Sequence, residues 1–241
     1  MVERVSHTVT THDPFGCAVR DHYRGERTAP LLDRDGEESR EHAIEEWYFG
    51  DHDGDAWRDA WLEGPLLEMG AGAGRDTLYY QEQFETVAIE VSEPLVDVMR
   101  ERGVEDARLA DMFSLRRCFD RDRFRSAHAI GTQVGLAGSM SAVREFLTDL
   151  AFVTTPDATA VLDNYAPELA ATADTFGYRE DAAPGLAYRV YHCEYEDDVG
   201  RTLLFRLFSV DRLREATVGT PWTVAEARYG DVQWRSVLEK R

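Results

Sequence analysis

The sequence predicts an α/β protein in which a mostly parallel sheet is covered by helices on both faces. Between residues 65 and 165, short apolar segments alternate with stretches of helical periodicity, which is the rhythm of such a sheet. The first apolar segment ends in a glycine-rich turn, LLEMGAGAG, that leads into a helical pattern. A length of 241 residues with 43% hydrophobic residues is sufficient for one large core.

Each element between residues 65 and 165 has its own local signal. Strands buried on both faces are short apolar runs, and five are present: residues 65–69, 86–91, 107–111, 125–131 and 159–165. Helical periodicity fills three intervening segments: residues 75–84, 93–102 and 139–153. For the last of these, Ser139 or Ser141 is a suitable N-cap. Val143, Phe146 and Leu147 fall on one face of the same predicted helix.

The C-terminal part of the chain has a different pattern. Residues 186–197 and 201–209 are long, partly alternating segments separated by the turn signal DVG, which predicts two strands. A short helix follows, with Ser209 as its N-cap. Two further strands flank a hairpin turn at Gly230 and Asp231.

The first 63 residues are predicted to form an N-terminal extension and helical cover, ahead of a single domain over residues 64–241. Residues 1–20 are polar and irregular, and we expect them to be loosely held. Residues 40–64 show helical spacing of apolar and aromatic residues, which Gly50 and Gly54 divide in two.

The charge balance predicts a salt-adapted source and argues against nucleic-acid binding. The chain carries 46 acidic and 27 basic residues, a net charge of −19, and Lys240 is its only lysine. Neighbouring acids repel one another little in molar salt, where the screening length is about 3 Å. Binding nucleic acid requires clustered cations. In the arginine-rich segment at residues 116–125, Asp120 and Asp122 interrupt the run, so we expect a solvated connection with local ion pairs.

Cysteine spacing and hydropathy argue against a disulfide-rich, a metal-binding or a membrane protein. Cys17, Cys118 and Cys193 are far apart and form no CxxC pair, so we predict no disulfide framework and no metal site. The N-terminus has no apolar signal segment, and no stretch approaches the ~20 apolar residues of a membrane helix. We expect a cytoplasmic monomer or homodimer with neither a membrane nor a nucleic-acid partner.

The glycine turn suits a cationic ligand better than a dinucleotide or the phosphates that a P-loop binds. Its glycines follow the spacing G-x-G-x-G over residues 70–74, and Arg75 stands where the dinucleotide fingerprint has its third glycine. A P-loop requires a lysine after the glycines, and this turn has none. Glu68 precedes the turn, where a carboxylate would repel a pyrophosphate but would suit the ammonium group of S-adenosylmethionine.

With these residues in place, the sequence resembles the class I methyltransferases that use S-adenosylmethionine. LLEMGAGAG is similar to their first motif, VAIEVS to their second and LADMFS to their third. Glu90 follows Gly70 by 20 residues and Asp111 follows Glu90 by 21, one strand–helix unit each. The resemblance covers roughly residues 64–165 and implies a Rossmann-like αβα sandwich. It also implies seven strands in the order 3-2-1-4-5-7-6, with strand 7 antiparallel.

The resemblance implies a set of site residues as well. Glu90 would accept hydrogen bonds from both ribose hydroxyls, Asp111 would meet the adenine amino group, and Met112 would pack on the adenine ring. The residues implied to contact the cofactor S-adenosylmethionine are Glu68, Gly70, Ala71, Gly72, Glu90, Val91, Asp111, Met112, Gly131 and Thr132. The residues implied to contact the substrate are Tyr23, Gln133 and Asn164.

The implied activity is transfer of a methyl group to a small-molecule acceptor by in-line displacement. GRDTLYY, after the first motif, resembles a small-molecule branch of the family. No catalytic residue is identified, because a general base is needed only when the nucleophile carries a proton. His128 and His192 fall within strands, where we expect satisfied core histidines, and Asp163 beside Asn164 suits either substrate contact or a stabilised turn. Three alternatives stay open: a non-catalytic S-adenosylmethionine-binding protein, an NAD-dependent oxidoreductase, and a nucleic-acid methyltransferase.

Overall fold

The computed structural model describes residues 13–52 and 54–241. Its helices are α1 (Pro14–Arg24), α2 (Ala56–Asp59), α3 (Arg75–Tyr80), α4 (Glu93–Glu101), α5 (Leu115–Cys118), α6 (Met140–Val153) and α7 (Val210–Thr217). Its strands are β1 (Leu32–Asp35), β2 (Glu38–Glu41), β3 (Leu66–Met69), β4 (Thr86–Glu90), β5 (Ala107–Leu109), β6 (Phe124–Ala129), β7 (Thr154–Tyr165), β8 (Tyr178–Glu180), β9 (Leu186–Tyr195), β10 (Asp198–Val199), β11 (Leu203–Phe208), β12 (Trp222–Tyr229) and β13 (Gln233–Lys240). A π-helical turn covers Glu45–Phe49, and 3-10 turns cover Met112–Ser114, Gln133–Ala137 and Ala170–Asp174.

The central sheet has seven strands in the order β12-β13-β7-β6-β3-β4-β5. The pairs β3–β4, β3–β6, β4–β5 and β6–β7 are parallel, and β13 is antiparallel to both of its neighbours. When the seven strands are numbered in chain order and read from β5, their order is 3-2-1-4-5-7-6. Strand 7, which is β13, is the antiparallel one. The predicted α/β fold is therefore confirmed, including its strand order.

Local sequence explains why these elements form where they do. All four residues of β3 are buried, as expected for a strand covered on both faces. Ser139 accepts a hydrogen bond from the N–H of Ala142 and so caps α6, and Ser209 caps α7 in the same way through the N–H of Arg212. Both caps agree with the sequence prediction.

A second, six-stranded sheet lies outside the predicted layout. Strand β9 pairs with β1, β8, β10 and β11, and β1 pairs with β2, all antiparallel. Residues near the N-terminus are thus joined to the segment between the fifth and sixth strands of the central sheet, with Arg34 opposite His192. This sheet contacts the central sheet at the carboxyl end of β7, where the side-chain amide of Asn164 donates to the carbonyl of Arg206 in β11.

The prediction of a helical N-terminal cover is therefore partly wrong. Residues 14–24 form a helix rather than a loose segment, and the remainder of the prediction for residues 1–20 lies outside the described residues. Residues 38–41 form a strand, and the helical content of residues 40–64 is limited to the π-helical turn and the single turn of α2. The aromatic spacing there reflects packing against neighbouring elements, which overrides local propensity. None of the described helices has the length and apolar content that crossing a bilayer requires.

Candidate functional site

The glycine turn lies at the carboxyl edge of the central sheet, between β3 and α3. Gly70, Gly72 and Gly74 have φ values of +69°, +59° and +78°, which side chains disfavour. The N–H groups of Gly70 and Ala71 donate to the carbonyl of Ile89 at 3.0 and 3.2 Å, which anchors the turn to the end of β4. A Cβ atom at Gly70 would lie 2.6 Å from Gln133, so the absence of a side chain keeps this position open.

Glu90 ends β4 with its carboxylate already oriented by backbone N–H groups. One oxygen accepts from Gly72 at 3.2 Å and the other from Val91 at 2.7 Å. Burial raises the pKa of Glu90 above its ordinary value, against the opposing effect of these two hydrogen bonds. The carboxylate is therefore held rigidly beside the second glycine of the turn, and Val91 next to it is 56% exposed.

Asp111 lies at the next strand end along the same edge. Glu90 pairs with Leu109 in β5, so Asp111, two residues further on, follows directly beyond that strand. Its carboxylate accepts from the N–H of Phe113 at 2.9 Å and caps the 3-10 turn, while its side chain stays exposed. Met112 is only 5% exposed and packs within the core, so its contact with an adenine ring stays a prediction.

The loop after β6 is fixed by an acid that ends the neighbouring strand. Asp163 in β7 accepts from the N–H groups of Gly131 and Thr132 at 3.0 and 2.6 Å. Burial raises the pKa of Asp163 to about 6, although both hydrogen bonds oppose that rise. Thr132 has a φ of +63°, unusual for a residue with a branched side chain, and Gln133 follows it against Gly70. Asp163 thus stabilises a turn, the second of the two roles that its sequence position allowed.

Asn164, a predicted substrate residue, lies at the carboxyl end of β7 with its side chain turned into the protein. It is fully buried; its amide nitrogen donates to the carbonyl of Arg206 at 2.9 Å and its amide oxygen accepts from Tyr165 at 2.7 Å. The side chain joins the two sheets, and its contact with a substrate stays a prediction.

Tyr23, another predicted substrate residue, lies on helix α1, and its contact with a substrate stays a prediction. Helix α1 lies alongside α4, because Asp13 at its start bonds Ser92 and Arg24 at its end bonds Glu101. Tyr23 therefore lies at the end of α4 remote from Glu90, where it stacks on Phe49. About ten residues of helix, or roughly 15 Å, separate it from the start of α4.

A hydrogen-bonded chain that the sequence did not reveal reaches the glycine turn from the second sheet. Asp33 Oδ1 lies 2.8 Å from Nδ1 of His42, and Nε2 of His42 lies 3.1 Å from the hydroxyl of Tyr48. The ring of Tyr48 covers Gly72, where a Cβ atom would approach it to 3.1 Å. No local motif marks these residues, since the chain exists only because the hairpin of β1 and β2 folds over the turn.

The charged groups next to Asp33 determine which atoms donate in the hydrogen-bonded series of Asp33, His42 and Tyr48. Burial raises the pKa of Asp33, but the hydrogen bonds and charges of His42 and Arg40 outweigh burial and lower the pKa below its ordinary value. An ionised carboxylate only accepts hydrogen bonds, so Nδ1 of His42 donates to Asp33 and Nε2 is the ring nitrogen that faces the Tyr48 hydroxyl. Burial raises the pKa of Tyr48 well above its ordinary value. The imidazole of His42 thus links Asp33 to the hydroxyl that lies over the glycine turn.

Beneath the turn lies a buried charged cluster, which we define as Arg58, Glu68, Asp76 and His128. Glu68 accepts from the hydroxyl of Thr77 at 2.7 Å, so its carboxyl group is engaged inside the protein. Burial and the neighbouring Asp76 raise the pKa of Glu68 to about 8. Burial also opposes ionisation of Asp76, but the surrounding His128, Arg58 and Arg75 lower its pKa to about 2. The predicted contact of Glu68 with an ammonium group stays a prediction.

The remaining members of the buried charged cluster decide whether it holds a metal. Burial lowers the pKa of His128 to about 3, which leaves a neutral ring with neither nitrogen hydrogen-bonded. Ligand atoms of Glu68, Asp76 and His128 lie within 4.8 Å of one another. However, the fully buried guanidinium of Arg58 lies 3.3 Å from Asp76 and already supplies positive charge. We therefore assign no metal to this cluster.

Comparisons with known proteins were made for the sequence and for the fold. Neither the protein-family models nor the curated proteins contain a match to this sequence. A methyltransferase from Bacteroides fragilis, solved with S-adenosylhomocysteine, matches with a TM-score of 0.78 at 22% identity over 95% of each chain. The CcbJ methyltransferase from Streptomyces caelestis matches at 0.56, with 16% identity over 76% of this chain and 86% of that one. An S-adenosylmethionine-dependent methyltransferase from Clostridium acetobutylicum matches at 0.55, with 10% identity over 73% and 83%. At these identities the likeness concerns the fold, and this chain has the fold of S-adenosylmethionine-dependent methyltransferases.

Proposed function

We propose that this protein is an S-adenosylmethionine-dependent methyltransferase that acts on a small molecule. The observation that carries the proposal is the alignment of the glycine turn, Glu90 and Asp111 at the ends of three adjacent parallel strands. In open α/β sheets, ligands bind at this edge. The likeness in fold to methyltransferases supports the same assignment.

The residues at this edge fit S-adenosylmethionine. Glu90 offers two oxygens with fixed orientation to a pair of ribose hydroxyls. The glycines leave room over the turn, where side chains at Gly70 or Gly72 would contact Gln133 or Tyr48. S-adenosylmethionine, when bound, supplies a methyl group on a sulfonium that is already an activated leaving group. The protein contributes alignment and the exclusion of water.

A small-molecule acceptor is favoured by the arginine-rich segment at residues 116–125. Arg116 pairs with Asp149, Arg123 with Glu85, and Arg125 with Glu63. These guanidinium groups are compensated by acids of the same chain, and the net charge of −19 opposes a polyanionic partner.

The cofactor assignment is tested by replacing Glu90 with alanine. We expect S-adenosylhomocysteine to bind at least about tenfold more weakly, because each lost hydrogen bond to a charged group contributes about 1.5–3 kcal/mol. Isothermal titration in molar potassium chloride measures the affinity, and Glu93→Ala, an exposed acid on the next element, serves as the control. Unchanged affinity of the Glu90→Ala protein would refute the ribose contact. A folded wild-type protein that binds neither S-adenosylmethionine nor S-adenosylhomocysteine would refute the proposed function.

We further propose that the chain of Tyr48, His42 and Asp33 removes a proton from the acceptor. The Tyr48 hydroxyl takes the acceptor's proton as it passes its own to Nε2 of His42, and Asp33 stabilises the resulting imidazolium. Because Tyr48 covers Gly72, this path begins beside the predicted cofactor site.

Replacement of His42 by glutamine tests this proton path. We expect turnover to fall roughly a hundredfold, while the affinity for S-adenosylhomocysteine stays the same. The assay follows labelled methyl transfer to a panel of amine, hydroxyl and thiol acceptors. His22→Gln is the matched control, since His22 also contacts an acid, Glu45, but lies on the exposed side of α1. Wild-type turnover by the His42→Gln protein would exclude the path.

A further inference from the structure

An arginine stands in the buried face of β9. Residues along this strand alternate between half-buried and buried, and the buried positions are Ala187, Arg189, Tyr191, Cys193 and Tyr195. Four of the five are apolar or weakly polar, as expected for the inner face of a half-buried strand. Arg189 is only 5% exposed, so its guanidinium group has been taken out of water. Burial of a charge is unfavourable unless the charge is compensated.

In the part of the chain that the structure describes, the hydrogen-bond partners of Arg189 are neutral. Nε donates to the carbonyl of Phe176 at 2.7 Å, and one terminal nitrogen lies 3.4 Å from the hydroxyl of Tyr165. Within the described residues, no carboxylate lies at ion-pairing distance from it. Arg206, on the opposite face of the same sheet, is also buried but pairs with Asp181 at 2.7 Å. The contrast identifies Arg189 as a buried cation without a counter-ion.

Aromatic rings surround this guanidinium. Its central carbon lies 4.7 Å from the ring of Tyr191, 5.2 Å from Tyr165 and 5.8 Å from Phe205. Such contacts stabilise an arginine, and they leave its planar set of donors oriented for a planar acceptor group. Aromatic walls with one fixed charged group are the composition of a small-molecule pocket.

The position of Arg189 relates it to the proposed methyltransferase site. Tyr165 is the last residue of β7, at the carboxyl edge where the glycine turn also lies. Tyr48, which covers Gly72, belongs to the same apolar cluster as Tyr165 and Tyr191. Phe176, whose carbonyl accepts from Arg189, also lines a cleft of about 440 Å³ between β2 and residues 173–179.

We propose that Arg189 binds a carboxylate group of the methyl acceptor. The proposal rests on the proposed function, since it specifies the substrate of that site. A singly charged, planar group fits best, because the guanidinium fork matches a carboxylate with two parallel hydrogen bonds. Two other arginines line the cleft beside Phe176, but Arg40 is engaged by Asp33 at 3.1 Å and Arg179 by Asp35 at 2.7 Å. Arg189, which has no acidic partner within the described residues, is therefore the arginine of this region that suits a singly charged anion.

The test compares benzoate with benzamide, which have nearly the same shape but differ in charge. Each is titrated calorimetrically into the full chain, with and without saturating S-adenosylhomocysteine, and acetate is included as a smaller carboxylate. We expect benzoate or acetate to bind and benzamide to bind at least about tenfold more weakly. We expect Arg189→Gln to lose at least the same factor for the carboxylate, and Arg206→Gln to bind as the wild type does.

Each outcome distinguishes this inference from the proposed function. Arg189→Lys keeps the charge without the planar fork, so we expect it to bind carboxylates weakly but measurably, and it serves if the glutamine variant does not fold. Equal binding of benzoate and benzamide, or unchanged carboxylate binding by Arg189→Gln, overturns the inference even if S-adenosylhomocysteine binds. Arg189-dependent carboxylate binding in a protein that does not bind S-adenosylhomocysteine keeps the anion site and removes the methyltransferase proposal.

Discussion

Replacing Arg58 by methionine is expected to lower the free energy of unfolding by about 3 kcal/mol at neutral pH, because removing one partner of a buried ion pair leaves the other charge poorly compensated. The Arg58 side chain is fully buried and lies 3.3 Å from Asp76. After its loss the cation beside Asp76 is Arg75, at 3.0 Å, whose side chain is partly exposed to solvent, while the second buried acid, Glu68, remains. Urea denaturation followed by tryptophan fluorescence, at constant molar potassium chloride, measures the change.

The pH dependence of this loss has a defined sign. The pKa of Asp76 is lowered to about 2, so its stabilising contribution is present above its unfolded pKa near 4 and is lost as the pH falls through 2. The gap between wild type and Arg58→Met should therefore narrow as the pH falls from about 4 toward 2. Arg125→Met is the control, because Arg125 pairs with Glu63 at the surface and is expected to contribute less than about 1 kcal/mol. A loss for Arg58→Met no larger than that of the control would contradict the assignment.

Glu68→Gln is expected to change how stability depends on pH. Burial and the neighbouring Asp76 raise the pKa of Glu68 to about 8, so the folded protein keeps this group protonated while the unfolded chain ionises it above about 4.5. The contribution of Glu68 is fully present below the unfolded pKa and is lost as the pH rises through the folded pKa. Since each pH unit corresponds to about 1.4 kcal/mol, the wild type should lose about 4 kcal/mol relative to Glu68→Gln between pH 5 and pH 8.

The glutamine side chain suits this comparison because it keeps the shape of a protonated glutamate and still accepts from Thr77. Free energies of unfolding are measured for both proteins at half-unit pH intervals in constant salt. Glu63→Gln is the matched control, since Glu63 is exposed and its replacement should leave the pH dependence as in the wild type. Parallel curves for wild type and Glu68→Gln would show that Glu68 ionises normally in the folded protein.

The central sheet could be predicted because its signals are local. Strands such as β3 are buried on both faces and read as continuous apolar runs, and the caps Ser139 and Ser209 mark helix starts directly. The strand order came from the resemblance rather than from any pattern. The hairpin of β1 and β2 was missed because its sequence, LDRDGEESRE, is almost entirely polar and its main partner, β9, is about 150 residues away. Its one local signal is the Asp35–Gly36 pair at the turn.

Some residues of the candidate site could likewise be predicted from local signals, whereas others depend on the second sheet. Glu90 and Asp111 could be placed because an acid that ends a parallel strand must lie at the carboxyl edge. The bond from the Asn164 amide to β11 could not be predicted, because it joins a sheet that the sequence did not predict. His42 and Arg189 could not be assigned, since their roles depend on that same sheet. A charged residue at a buried position of an alternating strand was the available signal for Arg189.

The pairing of β1 with β9 also sets an order of events during synthesis. Arg34 lies opposite His192, so one of these strands leaves the ribosome among the first parts of the chain and the other only after most of the chain is made. Contacts over such a separation form late, because a long loop must close first. The parallel strands from β3 to β7 can assemble while the hairpin of β1 and β2 has no partner strand. A nascent chain stopped before residue 186 would therefore contain the five parallel strands but neither the last two strands of the central sheet nor the pairing of β1 with β9.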